Sequence, residues 1–379
     1  MAPQRPSDRH SHPRPESAPE KAAPAPANSS GRSKEWTREW IVSRDDPNAF
    51  QSIKHAVRAA PPGAVIRVMP GLYQESVVIQ KNVTIRGEGS ADTVVLLSAW
   101  GPAVTAVHGA NVILQGMLFR SRTGSDRHPF PTLLAIEGTL FLENCQIRSA
   151  SGACVEVQAS CLLEALNCHL LQSVGPGVVL RGGGSAVLDS CVIQGHAQVG
   201  IQAEEGSALQ ANGCEFSGGH AGIHLQGKSR AELVDCAFRR LHHHAIEVRP
   251  EGELNLRNCH IEEIGACGIR LETATGQIED SLVRLCHQAG IEICKGGSVQ
   301  IHRSRVRDCN RTGIHIHSRG MGIIEDCDIH GNGVAGILIE QRSDPVVRNC
   351  RIYEGVHACG ILIRSSTGAT IEHCDIHSN

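Results

Sequence analysis

The sequence predicts an all-β fold: a right-handed parallel β-helix of about 23 residues per coil, with three parallel sheets and an N-terminal capping α-helix. Three observations predict it. A short motif recurs at near-constant spacing, apolar residues alternate with period 2 inside each copy, and the amino-acid balance suits a narrow stacked core.

The balance comes first. Aromatic residues make up 3% of the 379 residues, while there are 40 Gly and 16 Cys, so the interior must be filled by Ile, Leu, Val and Cys. A chain of this length would ordinarily divide into domains, but a repeat chain lengthens one core instead. The net charge of −3 and a pI near 6.7 supply no concentrated positive field, so neither nucleic acid nor an anionic membrane is an expected partner.

Residues 1–34 hold seven Pro among Ala, Ser, His, Arg and Lys, with no apolar run of seven or more. Such a segment cannot bury enough apolar surface to offset its ordering entropy, and it is expected to be a disordered tail. A secretory signal needs an apolar core that this segment lacks, and no stretch approaches the roughly 20 apolar residues of a membrane span. The expected location is cytoplasmic, and residues 35–379 are expected to form the helix domain.

Order is expected from the two rings Trp36 and Trp40 onward. Asp45, Asp46 and Pro47 read as a helix start. Phe50, Ile53, Ala56, Val57 and Ala60 then recur at helical spacing until Pro61-Pro62-Gly63, which predicts a capping helix at about 47–60 that closes the first coil. Short alternating runs follow, Ala64–Val68, Val77–Ile79 and Asn82–Gly89, bounded by turn residues.

The repeats begin at Cys145, Cys168, Cys191, Cys214, Cys236, Cys259, Ser281, Ser304, Cys327, Cys350 and Cys374, one coil apart at near-constant spacing. Each copy places an apolar pair, such as Leu254 and Leu256, before the Cys or Ser. Another apolar residue comes two positions on. A small residue and Ile-x-Leu follow, as in Gly268-Ile269-Arg270-Leu271. That is three strands per coil. One coil cannot bury its apolar positions alone, so coils must stack at about the 4.8 Å interstrand spacing. Asn144, Asn167, Asp235, Asn258, Asp280, Asp326 and Asn349 precede the Cys/Ser column. These types tolerate a left-handed backbone, and they are read as a corner ladder. The nine Cys of the column are read as small buried hydrophobes with free thiols, and Cys286 and Cys309, equivalent to Leu241 and Ile264, as packing too. The chain stops just after an eleventh corner, so the C-terminal end is expected to be uncapped, and either self-association or continuation of a longer chain is expected to cover it.

The segment "AAPPGAVIRVMPGLYQESVVIQKNVTIRGEG", with Phe50 before it, resembles the entry of pectin-lyase-like β-helix proteins. "GIIEDCDIHGNGVAGILIEQRSDPVVRNCRIYEGVHACGILI" resembles the repeats called carbohydrate-binding and sugar-hydrolase repeats, most of all those of F-box-only substrate receptors and of the Shc SH2-domain-binding protein group. The resemblance implies protein recognition by the solenoid, with ubiquitin-ligase assembly through a separate F-box. Residues 1–44 are too short and Pro-rich for that helical module.

Outward positions of the Ile-x-Leu strand carry the candidate site. Glu156, Gln202, His224, Glu247, Arg270, Glu292 and His315 are followed by Leu338 and Leu362. Glu247, Arg270, Glu292, His315 and Leu338 are the candidate binding residues. No catalytic residue, metal ligand or cofactor is assigned: the Asp-Asp and Gly-His-Gly motifs of polygalacturonases are missing from the coils, as is the Asp-Pro-His-Asp motif of alginate epimerases. The His242-His243-His244 turn, with His220 and His287 near it, is read as solvated, because no thiol or carboxylate at set spacing completes a ligand set. The sequence therefore reads as a noncatalytic scaffold binding a protein partner, with a carbohydrate-active enzyme (lyase, hydrolase or epimerase) and a carbohydrate ligand as the alternative.

Overall fold

A computed structural model describes residues 40–122, 129–356, 359–365 and 368–379; the expected tail at 1–34 and Trp36 lie outside the described residues. The described chain winds as an all-β, right-handed parallel β-helix. Its three parallel sheets hold 15, 14 and 13 strands. One coil shows the plan. Glu253–Arg257 lies in the first sheet, His260–Ile264 in the second and Ile269–Glu272 in the third, after which Thr275–Glu279 returns to the first. Every pairing is parallel and joins one coil to the next, as in Leu254↔Gly276 and Leu256↔Ile278.

Inward alternation builds one continuous apolar core along the axis. Phe216 and Phe238 stack inside it with ring centroids 4.6 Å apart. The corner ladder is present: Asn144, Asn167, Asp235, Asn258, Asp280, Asp326 and Asn349 all have φ between 49° and 55°. Ser190, Gly213, Arg303 and His373 fill the same place with positive φ, so the corner geometry is kept where the residue type is not.

The Cys column packs as expected, with one difference. Its members are buried except Cys374, which is half-exposed because it lies in the last coil. Thiol and hydroxyl serve the same local bond: Cys259 donates to the Arg257 carbonyl at 3.3 Å, and Ser281 donates to that of Glu279 at 2.7 Å. All sixteen cysteines are unpaired.

The capping helix is shorter than expected and starts elsewhere. It spans Ile53–Ala59, with Ser52 rather than Asp45 or Asp46 as N-cap. Asp46 instead accepts from the Asn48 N–H at 2.9 Å in a turn. The decisive partner is remote in sequence. Glu75, in the first coil, accepts from the Ile53 and Lys54 N–H groups at 2.8 and 3.0 Å and from the Ser52 hydroxyl at 2.7 Å, so its charge satisfies the orphan donors of the first turn. Ile53, Ala56 and Val57 turn inward.

Candidate functional site

The third sheet positions the site because its outward residues stand in register from coil to coil. The first lane runs Gln202↔His224↔Glu247↔Arg270↔Glu292↔His315↔Leu338. The five candidate residues are therefore consecutive rungs of one ladder. Leu338 is itself buried, at 8% exposure, and Leu362 continues the lane beyond it.

A second lane, two residues further along each coil, was missed from sequence. It includes Arg181, Glu204, Arg249, Glu272, Cys294, His317 and Glu340. Glu272 pairs with Cys294, and the N–H groups of Arg181, Glu204, Arg249 and His317 each donate to a third-sheet carbonyl of the coil before. The lanes are knitted by charge. Arg181 bridges Glu156 at 2.9 Å and Glu204 at 2.7 Å. Arg249 lies 3.6 Å from Glu247, and Arg270 lies 3.8 and 3.5 Å from Glu272 and Glu292. His317 meets Glu292 at 3.0 Å, and His315 meets Glu340 at 3.2 Å.

These neighbours set the electrostatics. Burial works against the Glu292 charge, but His317, Arg270 and the Cys267 thiol together hold its carboxyl down at about 2. Burial lowers His315, reinforced by His317. It lowers His224 as well, partly offset by Glu247. Among the described residues, Arg270 Nε and His224 Nε2 are buried without a hydrogen-bond partner; their ion pairs at 3.5 Å are charge contacts only.

Two clefts open along the lanes. One, of about 390 Å³, is lined by Phe130, Pro131, Glu156, Pro176, Arg181, Gln198 and Gln202. The other, of about 450 Å³, is lined by Gln198, Gln202, His220, His224, His243, Glu247 and Arg249. Shared walls at Gln198 and Gln202 make them one groove parallel to the solenoid axis. The histidine turn divides between faces. His220 stacks on His243, and His243 meets the edge of His244, while His242 and His287 line a separate recess. His244 is buried, its Nδ1 accepting from the Cys267 N–H at 3.2 Å, so that part of the turn is structural rather than solvated.

The chain matches the family model "Right handed beta helix region" over residues 132–279 and 244–379. It belongs to that family. One segment is 32% identical over 105 residues to the probable pectinesterase/pectinesterase inhibitor 6 of Arabidopsis thaliana, covering 23% of this chain and 19% of that protein. Tailspike protein 3 of bacteriophage CBA120 superposes with a TM-score of 0.67 at 10% identity, over 88% of this chain and 60% of that one. The periplasmic alginate epimerase AlgG gives 0.58 at 12% identity, over 86% and 83%. The GH87 α-1,3-glucanase of Streptomyces thermodiastaticus gives 0.55 at 13% identity, over 89% and 68%. At these identities the likeness is one of fold. The chain spans about a fifth of the curated relative and 60% of the tailspike chain. No helix among the described residues is long and apolar enough to cross a membrane.

Proposed function

We propose that this chain is a carbohydrate-active β-helix protein that seats an extended glycan in the third-sheet groove. The observation that carries the reading is the pair of abutting clefts lined by Glu156, Arg181, Gln198, Gln202, His224 and Glu247. Planar amide, guanidinium and carboxylate groups hydrogen-bond hydroxyl-rich ligands in fixed directions. A linear polymer along the axis meets a similar lane at each coil, about 4.8 Å further on. The relatives named as a pectinesterase, an alginate epimerase and a glucanase support this ligand class. Turnover by hydrolysis, elimination or epimerisation would draw its acid–base groups from Glu156, Glu204 and Glu247.

Protein recognition by the same sheet, which the likeness to F-box-only and Shc-binding solenoids implies, is the second reading. It is favoured by the passage of the first lane from charge to Leu338 and Leu362. The unpaired thiols support a reducing compartment, the cytoplasm, under either reading.

Affinity electrophoresis through gels cast with pectin, alginate, α-glucans or other polysaccharides tests the first reading. At least one polymer should retard the protein, and Arg181→Ala combined with Gln202→Ala should abolish the retardation. If none retards it, while the immobilised protein captures a protein through Arg270 and His315, the glycan reading is wrong and the second stands.

A further inference from the structure

We propose that Glu292, Cys294 and His317 form a zinc-binding site on the third sheet, further along the solenoid than the glycan groove and independent of that reading. One donor atom from each residue lies within 4.8 Å of the other two. Solenoid register makes the cluster. Ile293 pairs with Ile316, and the His317 N–H donates to the Ile293 carbonyl at 3.0 Å, so Cys294 and His317 are neighbours in space although a full coil apart along the chain. Glu292, two residues before Cys294, projects from the same side of the strand.

The Cys294 thiol sets this cluster apart from an ordinary charged surface. It is fully buried, at 0% exposure, yet lies outside the continuous apolar core. The column cysteines donate their thiols to carbonyls. Cys294 makes no such bond among the described residues. An unpartnered buried thiol therefore faces a carboxylate and an imidazole that already touch, Glu292 and His317 at 3.0 Å. A cation within reach of all three would give the buried thiol sulfur and the carboxylate a common partner.

The donor set selects the ion. Thiolate and imidazole with one carboxylate is a zinc ligand combination, whereas Mg²⁺ and Ca²⁺ take oxygen. Bonds of roughly 2.0–2.3 Å in a tetrahedron put donor atoms about 3.5 Å apart, so Glu292 and His317, now 3.0 Å apart, need only open slightly, and no separation, all being within 4.8 Å, has to close by more than about 1 Å. Cys267, whose thiol donates to Glu292 at 3.4 Å, stands beside the site; it or water would occupy the fourth position. The balance has two protons: Zn²⁺ displaces the Cys294 thiol proton to solvent, and the His317 ring proton leaves Nε2, where it now faces Glu292, while Nδ1 gains one and donates to the Ser318 hydroxyl 3.0 Å away; one S–H bond is lost, Zn–S, Zn–N and Zn–O bonds form, and nothing is oxidised. Arg270, now 3.5 Å from Glu292, would turn to Glu272, 3.8 Å away.

The test titrates tag-free full-length protein, chelator-treated, with Zn²⁺ by calorimetry and with Co²⁺ by absorption, beside a Cys359→Ser/Cys374→Ser variant that lacks the two accessible thiols. Both should take up one equivalent, with a thiolate-to-Co²⁺ charge-transfer band and the strong visible bands of a tetrahedral ion. Cys294→Ser and His317→Gln should each weaken uptake by roughly 10–100-fold or more. Circular dichroism checks that they fold, and if they do not, the Co²⁺ spectrum of the Cys359→Ser/Cys374→Ser protein decides. No uptake at micromolar metal, a spectrum without thiolate character, or uptake indifferent to Cys294 and His317 in folded variants overturns the site.

Discussion

His196 and Asn332 occupy the same corner column and make the same two bonds. His196 Nδ1 accepts from the Ser173 N–H at 3.3 Å, and its Nε2 donates to the Leu170 carbonyl at 3.1 Å. Asn332 Oδ1 accepts from the Cys309 N–H at 3.1 Å, and its Nδ2 donates to the Val306 carbonyl at 3.2 Å. Between them the column is filled by Gly219, Leu241, Ile264, Cys286 and Cys309, each bonded through its carbonyl to the next coil. An imidazole and an amide thus solve one problem, a backbone donor and acceptor left inside the corner.

They differ in response to acid. Burial pushes His196 down to about 4 from 6.5, so the folded chain keeps it neutral where the unfolded chain takes up a proton. Its stabilising effect is fully present above pH 6.5 and falls with pH until about 4 is reached, by about 1.4 kcal/mol per unit and roughly 3 kcal/mol in all. His244, also pushed down to about 4 by burial, acts in the same window. His196→Asn should flatten the decline between pH 6.5 and 4 while leaving stability at pH 7.5 within about 1 kcal/mol of the parent. Denaturant unfolding at a series of pH values reads this, and an unaltered pH slope would contradict it.

Glu75→Ala should loosen the capping helix and leave later coils intact. It strands the Ile53 and Lys54 N–H groups, a loss of about 1–2 kcal/mol locally. Hydrogen exchange should quicken at Ile53–Ala59 and not at Ile269–Glu272. Equal quickening in both segments would show that the helix does more than close the first coil.

Thiol accessibility follows from burial. Fourteen cysteines are buried, Cys359 is exposed and Cys374 half-exposed, so a bulky thiol reagent should react quickly with two groups in the native protein and with sixteen after denaturation. Fast native reaction of Cys191 or Cys236 would remove the buried-column assignment.

Gly290→Val should destabilise the solenoid by about 1–3 kcal/mol through overpacking. A Cβ at Gly290 would sit 2.5 Å from Val306 Cγ1 and 2.8 Å from the Gly313 carbonyl oxygen. The Ile-x-Leu strand begins here, and Gly222, Gly268, Gly313 and Gly336 meet the same close carbonyl. Thermal unfolding with unchanged midpoint would mean that the coil can shift to make room.

The sequence alone determined the coil, its three strands, the Cys/Ser column and the ladder from Glu247 to Leu338. A stacked fold repeats one local conformation, so its period is written directly in residue type, and Leu254, Cys259 and Ile269 announce their roles by recurrence. Only the tertiary structure decided which side chains meet between coils. The second lane keeps a fixed offset of two residues from the first, at or just past the strand ends, but Arg181, Glu272, Cys294 and His317 share no residue type, so no recurrence marked it as a site. Glu75 caps a helix that begins 22 residues earlier at Ile53, a bond no local pattern encodes. Neighbours on adjacent coils stand about 4.8 Å apart in space but a full coil apart along the chain, and that distance is closed by register, which exists only once the coils have stacked.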